Sequence, residues 1–284
     1  MSIKTGTLYV VATPIGNRKD ITQRALEVLA SVDKVAAEDT RHSRKLLSSY
    51  NISAPLVSLH EHNERSVAKR LVQALKEGAS VALISDAGTP LISDPGYRLV
   101  RGAHEAGIPV VPVPGPSALI CALSGSGMAT DRFVFEGFLA AKRPARRAEL
   151  MALTKESRTM VFYESCHRIV AMMQDLVECF GATREAVIAR ELTKMFETIR
   201  KASLAELLEY LKQDRDRQKG EFVVLVEGAG EANPLQVSES AHNTLKVLVQ
   251  ELPVKQATAL TARITGEKRN VLYEMALALS GTKK

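Results

Sequence analysis

Leu8-Tyr9-Val10-Val11-Ala12 runs straight into Thr13-Pro14-Ile15-Gly16-Asn17, and Val81-Ala82-Leu83-Ile84 runs into Ser85-Asp86-Ala87-Gly88-Thr89-Pro90-Leu91-Ile92-Ser93-Asp94-Pro95-Gly96. Each is a short apolar strand that ends in a Gly/Pro-rich loop. Glycine lacks a Cβ and proline fixes φ, so such loops let backbone approach a ligand closely. In open α/β sheets, ligands sit at the carboxyl ends of strands. Both loops are expected to open there, and the site with them.

Working outward, residues 7 to about 125 alternate strand and helix, which predicts a parallel sheet covered by helices. Strands are expected at Leu8–Ala12, Asp33–Ala37, Leu56–Leu59, Val81–Ile84 and Pro109–Val113. Asp20 reads as the cap of a helix with Gln23 as capping-box partner. Asn63 reads as the cap of Glu64–Glu77, ended by Gly78. Asp94 before Pro95 reads as an N-cap with proline at the first helical position; that helix runs to Ala106 and stops at Gly107. From 130 to 228, strands at Phe133–Phe135, Thr159–Tyr163, Ala186–Ala189 and Phe222–Val226 flank helices at His167–Phe180 and Leu204–Lys212. Ser203 and Glu206 form a capping box, and Phe196–Lys201 is expected to add a strand. This is a second α/β unit with a more mixed sheet.

Gly228–Pro234 reads as a linker. Beyond it the chain is helical, with Val254–Ile264 and Asn270–Leu279 joined by a turn at Gly266. Lys268-Arg269 opens the last helix, as in a helix-turn-helix unit; a small helical cap or dimer arm is the alternative. The expected domains are 1–125, 126–230 and 237–284.

The 284 residues are 45% hydrophobic and 25% charged, as in an ordinary globular protein. No apolar run approaches the ~20 residues of a membrane span, and the N-terminus lacks the apolar stretch of a signal peptide, so a cytoplasmic protein without a membrane partner is expected. Cys121, Cys166 and Cys179 are scattered without a CxxC pair, which suggests neither a disulfide framework nor a zinc site. The net charge of +6 favours a polyanionic partner. From Ala241 onward seven basic residues face three acidic ones, which supplies most of that excess.

The first loop is neither G-x-G-x-x-G nor a Walker A sequence, so dinucleotide and nucleotide triphosphate binding lose their usual support. In the second, Asp86 stands at a strand end, suited to a cationic or hydroxyl-bearing group, or else bonded to its own loop. A third loop, Pro114-Gly115-Pro116-Ser117-Ala118, is expected to start a helix at Pro116 and to present free N–H groups to an anion. Glu38-Asp39-Thr40-Arg41-His42 ends a strand in two acids able to position or move a proton, unless Asp39 or Thr40 only caps the following helix. His60-Glu61-His62 puts two imidazoles on one strand face, but no third ligand is placed by spacing and no metal is expected. Tyr163-Glu164 and Arg190-Glu191-Leu192-Thr193-Lys194 also end strands in charge. Lys142, Arg143, Arg146 and Arg147 make a basic run fit for phosphate, or simply a solvated face.

Taken in order, ATPIGN (12–17), AAEDTRH (36–42), SDAGTPLISDPG (85–96), PGPSA (114–118), EGFL (136–139), FYES-x-HR (162–168), ARELTK-x-x-E (189–197) and GEFVVLVEG (220–228) resemble the ribosomal RNA small subunit methyltransferase I family over nearly the whole chain. That family belongs to the tetrapyrrole methylase-like, class III S-adenosylmethionine (SAM) enzymes. The resemblance implies two α/β domains of the tetrapyrrole methylase type with SAM in the cleft between them, a small C-terminal helical domain, and a homodimer. It implies methyl transfer to the ribose 2′-hydroxyl of a cytidine in the decoding region of 16S rRNA, within the 30S subunit. TPIGN and AGTP replace the Gly-Pro-Gly and Gly-Asp-Pro of the broader pattern, which favours RNA over corrin or porphyrin substrates.

On this resemblance Asp86, Ala87, Gly88, Thr89 and Pro90, with Ser117 and Ala118, would hold SAM, and Pro14, Ile15 and Gly16 would flank the methyl. Glu38, Asp39 and His60 would be candidates to take the hydroxyl proton, with Arg41 orienting a phosphate or the base. Lys142, Arg143, Arg146, Arg147, Lys268 and Arg269 would grip RNA. A small-molecule methyltransferase and a non-catalytic RNA-binding factor are the competing readings.

Overall fold

The computed structural model describes residues 4–230 and 239–280. The chain divides into two compact units, one up to Glu227 and one from Gly228. The first unit begins with five strands, each followed by a helix. These are β1 (Leu8–Val11), α1 (Gln23–Ser31), β2 (Lys34–Ala37), α2 (Thr40–Ser49), β3 (Leu56–Ser58), α3 (Glu64–Lys76), β4 (Val81–Leu83), α4 (Tyr97–Glu105), β5 (Val110–Val113) and α5 (Ala118–Ser126). The sheet order is β3-β2-β4-β1-β5, parallel throughout.

Side chains alternate across this sheet with the period of two that strands impose. Tyr9, Val11, Ala82 and Ile84 face α1 and α2, while Leu8, Val81 and Leu83 face α3 and α4. The adjacent strands β1 and β4 therefore send their chains to opposite faces. That arrangement is a topological switch point, and it opens a crevice beyond their carboxyl ends.

The rest of the first unit comprises β6 (Phe133–Phe138), α6 (Arg143–Ala152), β7 (Thr159–Ser165), α7 (Ile169–Phe180), β8 (Glu185–Arg190), β9 (Thr198–Ser203), α8 (Leu204–Lys212) and β10 (Glu221–Val226). Its sheet, β6-β7-β10-β8-β9, pairs β6 with β7 in parallel and the remaining neighbours antiparallel. Leu119, Ala122 and Leu123 of α5 pack on one face of it, and α6, α7 and α8 cover the other. The 125/126 boundary of the sequence reading falls at the end of α5, where the chain passes from one sheet to the other.

In the second unit α9 (Glu239–Glu251), α10 (Val254–Thr265) and α11 (Arg269–Ser280) share a core of Ala241, Leu245, Ala257, Leu272 and Ala276. Gly266 turns the chain between α10 and α11 at φ +77°. The linker end at 231–234, the expected domain start at 237, and Lys283 and Lys284 lie outside the described residues.

Several local expectations are corrected. Thr22, not Asp20, caps α1, accepting a bond from Ala25 N. Asn63 sits at the α3 cap position, but its side-chain oxygen accepts from His60 N and its amide donates to Ser58 O. Ser117, not Gly115, precedes α5, which starts at Ala118. The strand expected at 196–201 lies two residues later, as the edge strand β9 (Thr198–Ser203), and the Ser203–Glu206 capping box is present.

Candidate active site

Three loops meet at the switch point. Thr13 and Gly88 exchange backbone bonds, Thr13 N to Gly88 O at 2.8 Å and Gly88 N to Thr13 O at 3.0 Å. Thr89 Oγ1 donates to Pro116 O at 3.0 Å, tying the second loop to the third. Gly88 holds φ +83°, and a Cβ there would stand 3.2 Å from Ile15 Cγ2. Leu91 and Ser93 also hold positive φ, at 71° and 69°. Such conformations cost about 1–3 kcal/mol each for residues with side chains and persist where surroundings over-determine them, as at binding sites.

These loops and the α5 face of the second sheet enclose a cleft of about 330 Å³, within the ~300–1,000 Å³ range of small-molecule sites. Ile15, Ala189, Leu192 and Val223 supply apolar wall, and Asp86, Ser117 and Tyr163 supply polar groups, while the Glu164 carboxylate is buried against Arg168. Of the expected cofactor residues, Ile15, Asp86, Ala87, Gly88, Thr89, Ser117 and Ala118 line it. Pro14 and Pro90 are buried inside their loops and do not line it. Gly16 meets the opposite loop instead: a Cβ there would lie 2.5 Å from Lys194 Cγ and 2.8 Å from Thr193 Oγ1. Asn17 N donates to Thr193 Oγ1 at 3.0 Å. Lys194 pairs with Glu191 at 2.8 Å and Glu221 at 2.7 Å, so the ATPIGN and ARELTK loops clasp each other beside the cleft.

Asp94 is the residue that sequence reasoning misplaced. The α4 N-terminus begins after Gly96, and Glu64 Oε1 caps it by accepting from Gly96 N at 3.0 Å and Arg98 N at 2.8 Å. Gly96 holds φ +129°, and a Cβ would strike Leu83 Cδ2 at 2.7 Å. Freed from capping, Asp94 lines the cleft with Asp86. Burial, then the neighbouring Glu38 and Asp86 carboxylates, push the Asp94 carboxyl up to about 7. Burial, Asp86 and Glu61 raise Glu38 as well, with His60 opposing. Three carboxyl groups thus share one corner, and only part of their charge is tolerated there.

The other proposed proton acceptors fare differently. Asp39 accepts from Arg41 N and His42 N as the α2 N-cap, and these bonds hold its carboxyl below the usual range. Its own N–H donates to Asp86 Oδ1 at 3.1 Å, so it positions Asp86 and is itself committed. The Arg41 side chain is 94% exposed, a poor orienting group for a cleft. His60 lies in the turn beyond β3 rather than on the strand; its ring meets His62 edge-on at 5.9 Å, and its buried Nδ1 lacks a hydrogen-bond partner.

The basic run at 142–147 is not a free phosphate patch. Arg146 is buried and donates to Asp175 from Nε at 2.8 Å. Arg143 bonds Asp175 and Glu178, and Arg147 bonds Glu178. Lys142 remains exposed at the start of α6, and Lys268 and Arg269 open α11.

Known proteins share this fold. The family model described as Tetrapyrrole (Corrin/Porphyrin) Methylases matches residues 7–208, and the RsmI C-terminal HTH domain matches 236–280. Cobalt precorrin-4 methyltransferase and diphthine synthase superpose with TM-scores of 0.57 and 0.58 at 17% and 18% identity, each covering 78% of this chain and 95% and 90% of theirs. The fold is thus that of the tetrapyrrole methylases. Ribosomal RNA small subunit methyltransferase I of Vibrio cholerae serotype O1 is 55% identical over 95% of this chain and 94% of its own. The proteins of that name in Escherichia coli O157:H7 (54%, covering 97% and 96%) and Pseudomonas aeruginosa (53%, covering 98% and 99%) are similarly close. The chain belongs to the ribosomal RNA small subunit methyltransferase I family. It is a methyltransferase that takes its methyl group from SAM.

Proposed function

We propose that the chain methylates the ribose 2′-hydroxyl of a cytidine in the decoding region of 16S rRNA, with the 30S subunit as substrate and the cytoplasm as its compartment. The observation that carries this reading is the pair of carboxyl groups, Asp86 and Asp94, that line the cleft with Glu38 near enough to raise Asp94, because a sugar hydroxyl must surrender its proton as it is methylated.

The residues fit the cofactor. Gly88 leaves room for a ligand where a Cβ would crowd Ile15, Ser117 makes no cap bond of its own at the start of α5, where Tyr163 Oη accepts from Leu119 N at 3.1 Å, and the apolar walls suit an adenosine ring. When bound, SAM supplies a methyl carbon on a positively charged sulfur, open to in-line displacement. The Thr13–Gly88 and Thr89–Pro116 bonds tie the loops to one another, and alignment of reacting groups is worth up to ~7–11 kcal/mol. Asp94 would accept the hydroxyl proton as the ribose oxygen is methylated. A carboxyl poised near neutrality is well matched to that task. Glu38 and Asp86 make the protonated product state of Asp94 favourable, and the Asp39 N–H fixes Asp86.

Exposed Ile120 on α5 and exposed Met195, Phe196 and Ile199 support a homodimer. Lys142, Lys268 and Arg269 are proposed RNA contacts. Among the described residues no helix is long and apolar enough to cross a membrane.

Gly88→Val is expected to weaken SAM binding at least tenfold by calorimetry, since a branched side chain is strained at φ +83° and meets Ile15. The substrate is tested by offering labelled SAM with unmodified 30S subunits or with a porphyrin precursor. Label in 16S rRNA alone is expected; label in the tetrapyrrole alone would overturn the reading.

A further inference from the structure

α3 and α4 lie side by side on one face of the first sheet, and a groove of about 530 Å³ runs between them. Arg65, Lys69 and Lys76 line it from α3, and Arg98 and Arg101 from α4. Glu105, the one acid in its lining, pairs with Arg101 at 2.7 Å, and Glu64 stands 3.8 Å from Arg98. Among the described residues Arg65, Lys69 and Lys76 meet no carboxylate within ion-pair distance, and all three are exposed. This is the reverse of the 142–147 run, whose arginines are consumed by Asp175 and Glu178.

One end of the groove reaches the start of α4, where Tyr97 and Arg98 line it. α4 starts three residues after Asp94, and the Glu64 bonds to Gly96 N and Arg98 N lock the first turn of α3 against that start. Tyr97, 63% exposed, stands at this end. At 1.5 Å rise per residue, Arg65 to Lys76 spans roughly 17 Å along α3. A row of uncompensated cations that long exceeds any single phosphate group. It suits an extended polyanion, whose successive phosphates release counterions as each cation is met. An exposed tyrosine beside such a row offers a stacking face for a base.

We infer that the α3–α4 groove tracks the ribose–phosphate backbone of the RNA strand flanking the target nucleotide and feeds that nucleotide to the Asp94 corner. The inference rests on the rRNA reading above. Its test is the full-length Arg65→Gln/Lys69→Gln/Lys76→Gln variant, titrated onto unmodified 30S subunits between about 50 and 200 mM salt, with SAM affinity measured in parallel. Subunit affinity is expected to fall tenfold or more at low salt. The slope of log K against log salt should shrink by about 2 to 3, near 0.7–0.9 per lost phosphate contact, with SAM affinity and kcat at saturating subunits unchanged. Subunit affinity within twofold of the parent and an unchanged slope would overturn the groove. Should the triple variant lose SAM binding too, Lys69→Glu alone decides by the same slope: a shallower slope supports the groove and an unchanged one overturns it. A parent chain that transfers no methyl to 30S subunits would sink the rRNA reading itself, whereas an active parent matched by its variants sinks only the groove.

Discussion

Asp94→Asn is expected to slow methyl transfer by roughly 10²–10⁴-fold, the usual range for removing a proton acceptor, while SAM affinity stays within about twofold. The amide keeps the shape of the side chain and cannot take a proton. In the parent, turnover should climb with pH through about 7, as Asp94 ionises, and level off above it. The variant should lack that limb. The same substitution is expected to stabilise the fold. A carboxyl whose folded pKa is raised from 3.8 to about 7 binds its proton more tightly in the native state, so it costs stability that accrues as pH rises between those values. After discounting for solvent around a partly exposed group, about 1 kcal/mol is left, or about 2–4 °C in Tm. The variant should melt above the parent at pH 8 and with it at pH 4. Equal turnover in parent and variant at saturating substrates would remove Asp94 from the chemistry.

Asp175→Ala acts on stability. Its side chain is fully buried on α7 and holds the buried Arg146 and the half-exposed Arg143. Burial alone would raise the Asp175 carboxyl, but Arg143 and Arg146 outweigh it and hold it below the ordinary range. Removing it leaves Arg146 charged and uncompensated, at a cost of about 3–5 kcal/mol, or roughly 10 °C in Tm. Because the folded pKa is depressed, the carboxylate's contribution is present above the unfolded value and is lost as pH falls through the folded one. The gap between parent and variant should therefore hold above 3.8 and narrow only as the pH falls below it. Arg147→Gln, at a more exposed position, should cost about 1 kcal/mol or less. Scanning calorimetry measures both, and an Asp175→Ala chain that melts with the parent would return the 142–147 run to the list of free phosphate contacts.

Both sites show how far local pattern reaches. The alternation of Leu8, Tyr9 and Val11 and of Val81, Ala82, Leu83 and Ile84 carries the first sheet, because each residue's face follows from the strand period alone. The Ser203–Glu206 box is legible for the same reason: both partners sit within one helical turn. Asp94-Pro95 has the local form of a helix cap, yet Glu64, thirty residues away, takes that role and leaves Asp94 to the cleft. Arg146 sits in a solvated-looking basic run, and the acid that buries it stands on a helix 29 residues later. A cue was present there: Asp175 interrupts the apolar face of His167–Phe180, where an unpaired carboxylate is not tolerated. No comparable cue marks Gly16, whose close approach to Lys194 depends on the second sheet being in place. Tyr163 is visible as a strand-end residue, but only the packing of α5 on β7 brings it to the cleft, whereas Glu164 turns to the other face and pairs with Arg168.

The central claim is methyl transfer to a ribose oxygen of 16S rRNA. Its most direct test is incubation of the chain with labelled SAM and 30S subunits from a strain lacking this gene, followed by nuclease digestion and mass mapping of the rRNA. One added methyl, on the ribose of a single decoding-region cytidine, is the predicted result. A methyl on a base, or none on the rRNA from an enzyme that binds SAM, would contradict the account.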